Sequence, residues 1–145
     1  MLSLILLLPL MTRVLFICFG NSCRSPIAEG FANYYGKSWI TAYSAGSHAV
    51  GFIMQDTIEC MKERGIDISH QSSKGLSSID LARMDYAVIL EASLRDSIVF
   101  PSRRTQKLHW FVPDPVGQSI DIYRKVRDQI EVKVLDFIET IRKEN

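Results

Sequence analysis

The chain is poor in the features that would place it among secreted scaffolds, disordered proteins or nucleic-acid binders. Cysteine occurs only as Cys18, Cys23 and Cys60. An odd count at spacings that match no zinc pattern argues against a disulfide framework and against a metal site. Charge of one sign is not in excess: 17 basic and 16 acidic residues leave a formal net charge of +1. A balance this even gives no reason to expect nucleic acid as a partner. Any anion must then be held by local geometry and not by a global field. Repeats, linkers and low-complexity stretches are missing. Apolar residues make up 47% of the chain, which excludes disorder. The length, 145 residues, suits one domain with a real core.

A long hydrophobic span is also lacking. Met1 to Met11 reads MLSLILLLPLM, almost wholly apolar but too short to cross a bilayer. No basic residue precedes it, and Thr12-Arg13-Val14 is a poor cleavage site. Residues 1–10 are therefore set apart as an apolar extension, with three readings: a non-native or upstream start before a functional Met11, a segment that packs on the domain or a partner, or an export or membrane signal. The domain is expected over 11–145, with the cytoplasm as its compartment and no membrane association.

What is present alternates between two periodicities. Val14 to Cys18 (VLFIC) is apolar on both faces, as a buried parallel strand is. Trp39–Ser44, Tyr86–Leu90 and Lys107–Phe111 read as further strands. A helix is expected from Ser25-Pro26, with Ser25 as its cap and Pro26 in its first position, ending at Gly36. Others are expected over Asp56–Arg64, around Ile79–Arg83 and over Ser93–Phe100. In the last stretch Ile122, Val126, Ile130, Val134 and Ile138 step by four, while Asp121, Arg124, Lys125, Arg127 and Asp128 take other faces. This order predicts an α/β fold: a single doubly wound domain with a parallel sheet flanked by helices.

In such sheets ligands sit at the carboxyl ends of the strands, where the Cys18 loop leaves the first strand. Phe19-Gly20-Asn21-Ser22-Cys23-Arg24 is short enough to curl its backbone N–H groups inward as an anion nest. The helix that follows adds its positive end, and Arg24 a planar fork matching two oxygens of a tetrahedral oxyanion. The same field favours a thiolate at Cys18, and the Ser25 hydroxyl is near enough in sequence to hydrogen-bond it. A thiolate beneath a bound phosphate is placed for in-line attack through a covalent thiophosphate. Asp114, in Val112-Pro113-Asp114-Pro115 after the fourth strand, is the candidate general acid, stiffened by its prolines. The opposing reading makes Cys18 a core residue and Arg24 a solvated charge. The strand before the loop, the glycine inside it and the Ser-Pro start after it argue against that.

These residues resemble the low-molecular-weight protein-tyrosine-phosphatase superfamily, which includes arsenate reductases coupled to small redox proteins. The likeness runs from Val14 to the last helix. It is carried by VLFICFGNSCRSPIAEG, YSAG at Tyr43 to Gly46, GIDIS at Gly65 to Ser69 and PDP at Pro113 to Pro115. It implies four strands, Cys18 as nucleophile, Arg24 as oxyanion-binding arginine and Asp114 as general acid, with Phe19, Gly20, Asn21, Ser22, Cys23, Arg24 and Ser25 binding the substrate. It further implies that Asn21 holds the loop's shape, that Ser44 supports it, and that Cys23 can pair with Cys18 on oxidation. Two departures stand out. Val116-Gly117 replace the aromatic residues that phosphatases of this family carry after Asp-Pro. Glu91 to Ile98 contains none of the relay cysteines that thioredoxin-linked reductases carry there.

Two activities follow as expectations. One is a phosphomonoester hydrolase acting on phosphotyrosine or aryl phosphates. The other is an arsenate reductase that uses Cys18 and an external thiol, with thioredoxin or glutaredoxin as partner. Neither needs a metal or a bound cofactor; a thiol reductant is co-substrate for the second. A non-enzymatic oxyanion binder or redox sensor is a third, weaker reading. Cys60 is read as a core residue, with a resolving thiol as the alternative. His48 either lines the cleft or is solvated, His70 is placed on the surface, and His109 is read as packed within its strand. Arg103, Arg104 and Lys107 are read as a solvated face, with an acidic docking patch as the alternative, and Tyr34, Tyr35 and Trp39 as packing residues before ligand stacking.

Overall fold

The computed structural model describes residues 10–145. Except for Leu10, the expected extension over 1–10 lies outside them. Four strands, β1 (Thr12–Cys18), β2 (Ile40–Gly46), β3 (Tyr86–Ile89) and β4 (Gln106–His109), form one sheet in the order β2-β1-β3-β4. Every pair is parallel. Strands β1 and β3 are the inner ones, and Val14 to Ile17 of β1 are fully buried. Three helices, α1 (Arg24–Tyr35), α2 (Gln55–Lys62) and α3 (Ile120–Glu144), complete the α/β fold.

The helices do not share the two faces equally. Val14, Phe16, Cys18, Val88 and Leu90 pack with residues of all three helices in one large cluster. The alternate residues Leu15, Ile17, Ala87 and Ile89 face a smaller cluster with Met84 and Leu94, covered by Leu76, Ile79, Leu81, Ile98 and Phe100. That second layer holds only 3-10 turns, at Leu76–Ser78, Leu81–Arg83 and Ala92–Leu94. The helix expected over Ser93–Phe100 thus shortens to one turn. A segment this short cannot offset the cost of helix nucleation, and Leu94, Ile98 and Phe100 gain more by lying against the sheet.

Two details of the helices differ from expectation. Helix α1 begins at Arg24, with Cys23 in the cap position and no side-chain cap. Ser25 is not the cap because its hydroxyl is engaged elsewhere, as described below. In α3 the buried stripe includes Tyr123, Phe137 and Ile141 besides Val126, Ile130, Val134 and Ile138. Steps of four drift around a helix of 3.6 residues per turn, so the buried face is completed by steps of three. Arg127, placed on an outward face by the sequence, is buried there and donates to Cys60 O at 2.9 Å. The GIDIS segment packs under α1: a Cβ on Gly30 would lie 2.8 Å from Ile68 Cγ2.

Candidate active site

The parallel register pairs Cys18 with Gly46, so the carboxyl ends of β1 and β2 lie side by side. The chain leaving Cys18 must turn over Gly46, and the contact is tight. A Cβ there would stand 2.6 Å from Phe19 O and 2.9 Å from Asn21 N. The turn is made by Asn21 in the left-handed region, at φ 49°, a conformation asparagine tolerates better than most residues.

Almost every carbonyl of the loop is tied to the segment that follows β2. Cys18 O accepts from Ser47 N at 3.1 Å, Phe19 O from His48 N at 2.8 Å and Gly20 O from Val50 N at 3.1 Å. Ser73 Oγ also donates to Gly20 O, at 3.0 Å. Ser22 O accepts from Met54 N at 3.1 Å and from Thr57 Oγ1 at 2.9 Å. The N–H groups of Phe19 to Ser25, by contrast, have no partner among the described residues. A loop with its carbonyls bound outward and its N–H groups unspent is an anion nest, and the start of α1 adds its positive end.

Inside the loop a polar chain holds the thiol. Cys18 Sγ lies 2.9 Å from Ser25 Oγ. Asn21 Nδ2 donates to Ser25 Oγ at 2.8 Å and to Ser44 Oγ at 2.9 Å, while Asn21 Oδ1 accepts from Lys74 N at 2.9 Å. Both hydroxyls thereby receive a hydrogen, and each has its own to give. Ser44 donates to the Glu29 carboxylate, and the Ser25 hydrogen is free to point at Cys18 Sγ. Burial pushes the Glu29 carboxyl above its ordinary range, against the bond from Ser44.

Arg24 is 3% exposed and fixed from several sides. Its Nη1 donates to Val112 O at 3.1 Å and reaches Leu90 O at 3.5 Å. Its Nη2 lies 2.9 Å from Glu91 Oε1 and 3.6 Å from Asp114 Oδ2. Desolvation works to raise the Glu91 carboxyl, but bonds from the Ser93 N–H and hydroxyl, with Arg24, outweigh it and hold the carboxyl below its ordinary value. Asp114 is half exposed, and its Oδ1 accepts from Val116 N at 3.0 Å. A cavity of about 370 Å³ opens over these groups. Cys18, Ser22, Cys23 and Arg24 line its inner part, Asp114 its wall, and Phe19, Val50, Phe52, Met54 and Val116 an apolar mouth.

The family model for low molecular weight phosphotyrosine protein phosphatase matches residues 13–145. The chain belongs to that family. It is 37% identical over 129 residues to arsenate reductase 1 of Staphylococcus haemolyticus, covering 88% of this chain and 96% of that one. An arsenate reductase solved in its phosphate-binding state superposes with a TM-score of 0.80 at 33% identity, over 90% of this chain and 99% of that one. The low molecular weight protein tyrosine phosphatase of T. tengcongensis gives 0.78 at 33% identity, over 89% and 99%.

As a member of this family the chain shows where each candidate residue lies. Cys18, Phe19, Gly20, Ser22, Cys23, Arg24 and Asp114 share one cavity. Asn21 and Ser25, expected to bind substrate, turn their side chains into the loop and present only backbone N–H groups to an anion. Ser44 reaches the loop through Asn21. Glu29 and Glu91 were not singled out in the sequence. Nothing local could have indicated either: Glu29 reaches the loop only through Ser44 of β2, and Glu91 meets Arg24 only once β3 lies against β1. Burial raises the Cys23 thiol above its ordinary value, against the hydroxyls of Thr57, Ser22 and Tyr123. Cys60 is fully buried and pushed to about 12, chiefly by burial, as suits a core residue.

His48 is exposed and stacks on Phe19 with ring centroids 4.5 Å apart. His70 is on the surface. His109, expected to be packed, is exposed because the alternate residues of edge strand β4 face solvent. Arg103, Arg104 and Lys107 form the expected solvated face. Tyr35 and Trp39 pack against the core, while Tyr34 is 53% exposed. Among the described residues no group of three or more His, Cys, Asp or Glu is placed to hold a metal, and no helix is long and apolar enough to cross a membrane.

Proposed function

We propose that this protein is a phosphomonoester hydrolase acting on phosphotyrosine or aryl phosphates through a phosphocysteine intermediate. The observation that carries the reading is one cavity with a thiol held at its inner end, a carboxylate on its wall and an apolar mouth. The N–H groups of Phe19 to Ser25 and the Arg24 fork hold the phosphoryl oxygens. The Cys18 thiolate attacks phosphorus in line, and the S–P bond forms as the bond to the leaving oxygen breaks. Asp114 gives its proton to that oxygen. It then takes one from the water that hydrolyses the S–P bond and returns Cys18 to a thiolate. The ring of an aryl group would rest among Phe19, Val50 and Phe52.

A second reading, arsenate reduction, is supported by the names of the relatives above. Arsenate has the size and charge of phosphate, so the same nest would receive it. Glu91 stands two residues after the end of β3, and no cysteine follows it through Ile98. The reductase reading therefore lacks relay cysteines after β3, and takes its electrons from a thiol outside the chain, with thioredoxin or glutaredoxin as partner.

One preparation tests both. Aryl phosphate hydrolysis is measured beside arsenate-dependent NADPH consumption, coupled separately to thioredoxin and to glutathione with glutaredoxin. The hydrolase reading expects aryl phosphate turnover that Cys18→Ser abolishes while oxyanion binding remains. Arsenate turnover lost in Cys18→Ser, with no aryl phosphate hydrolysis, would replace it by the reductase reading and identify the electron donor.

A further inference from the structure

A second cation stands on the scaffold that holds Arg24. The Glu91 carboxylate that pairs with Arg24 also accepts from Ser93 N at 3.2 Å and Ser93 Oγ at 2.9 Å. These bonds fix the turn Ala92–Leu94, which is pinned by buried Leu94 and closed by Arg95 N bonding Ala92 O at 3.2 Å. From the other side Val112 O accepts from Arg24, and its chain neighbour is Phe111. The Arg95 guanidinium lies over the Phe111 ring, 5.0 Å from its centroid. Both residues are exposed, and with Ala92, Ser93, Asp96 and Ser97 they line a shallow cleft. Among the described residues Arg95 makes no side-chain hydrogen bond or ion pair. The ring face attracts the guanidinium, whose N–H groups keep no partner among those residues and can meet a carboxylate with two parallel bonds.

We propose that Arg95, set over Phe111 on the segments that hold Arg24, is a specificity residue that selects phosphotyrosyl segments carrying an acidic side chain near the phosphorylated residue. The proposal rests on the hydrolase reading. A small aryl phosphate fills the cavity alone, whereas a polypeptide must lay its flanking residues on the surface around it, and Arg95 is the cation nearest in sequence to Glu91, the ion-pair partner of Arg24. The surrounding mouth is apolar, so the flank is read through one charge and not through a basic field. Asp96, in the same cleft, opposes a second acid and sets the strength of the preference.

The test compares phosphotyrosyl peptides with Asp or Asn placed in turn at each of the positions flanking the phosphorylated residue. Rates are expressed relative to p-nitrophenyl phosphate for each protein. Wild type is expected to favour Asp at one position by about three- to tenfold in kcat/KM, carried by KM, as befits an exposed charge pair. The preference should shrink as salt rises. It should disappear in Arg95→Met, which keeps the stem, survive in part in Arg95→Lys, and grow in Asp96→Asn. No Asp preference in wild type, or one unchanged in Arg95→Met, overturns the docking role while p-nitrophenyl phosphate turnover keeps the hydrolase reading. Loss of p-nitrophenyl phosphate turnover in wild type overturns both.

Discussion

Asp114 and Glu91 both face the same Arg24 nitrogen, yet their surroundings give them different work. Glu91 is largely enclosed, receives three hydrogen-bonded contacts and stays ionised, so it orients the guanidinium. Asp114 is half exposed, sits farther from Arg24 and opens on the cavity, which suits the acid role proposed for it. Replacing Asp114 by Asn is expected to slow esters of poorly acidic alcohols and phenols by roughly a hundred- to ten-thousandfold. Esters of strongly acidic phenols, which leave unaided, should slow far less. A series of aryl phosphates of graded leaving-group acidity measures this; an equal loss across the series would remove Asp114 from the acid role. The sequence indicated Asp114 because prolines flank it. It was silent on Glu91 because nothing local distinguishes that carboxylate until β3 lies against β1.

At the scale of elements, the phosphate loop is held by its neighbours more than by itself. Gly46 lies beneath it, and a methyl group there would collide with backbone at Phe19 and Asn21. Gly46→Ala should displace the nest by a fraction of an ångström to an ångström and lower kcat/KM by about a hundredfold. Thermal unfolding should change little by comparison; unaltered kinetics would mean the loop adapts freely. Helices α2 and α3 are joined by a charge network in which Glu63 meets Arg124 at 2.7 Å and Arg127 at 2.6 Å. Bonds from Arg124 and Arg127 lower the Glu63 carboxyl from 4.5 to about 2. Folding depresses this group, so its contribution is whole above the unfolded value of 4.5 and is lost as pH falls toward about 2. Urea midpoints across that window should fall more steeply in wild type than in Glu63→Gln, and parallel curves would show the network contributes nothing there. The periodicity of α3 was legible in the sequence, but the burial of Arg127 was not, since a helical wheel cannot show that α2 lies over it.

For the whole molecule, one large core supports a site built at its edge. Ile130, fully buried in α3, lies in the cluster that also contains Cys18 and Cys23. Ile130→Ala is expected to cost about 2–5 kcal/mol of stability. KM should change little while the protein remains folded, because no atom of Ile130 lines the cavity. Denaturant unfolding and steady-state kinetics on one preparation check both halves. A large KM change at full native population would show that the core and the loop are not mechanically separate.

The amino-acid sequence by itself determined the alternation of strands and helices, the buried first strand and the loop that follows it. Each of these rests on local chemistry: apolar runs, turn residues, and a cysteine, glycine and arginine at close spacing. Only the tertiary structure decided that all three helices pack on one face, that β1 lies between β2 and β3, and that Glu29 and Glu91 hold Ser44 and Arg24. Those choices depend on which strand lies beside which. A hydrogen bond between residues tens of positions apart leaves no mark in the pattern of either segment.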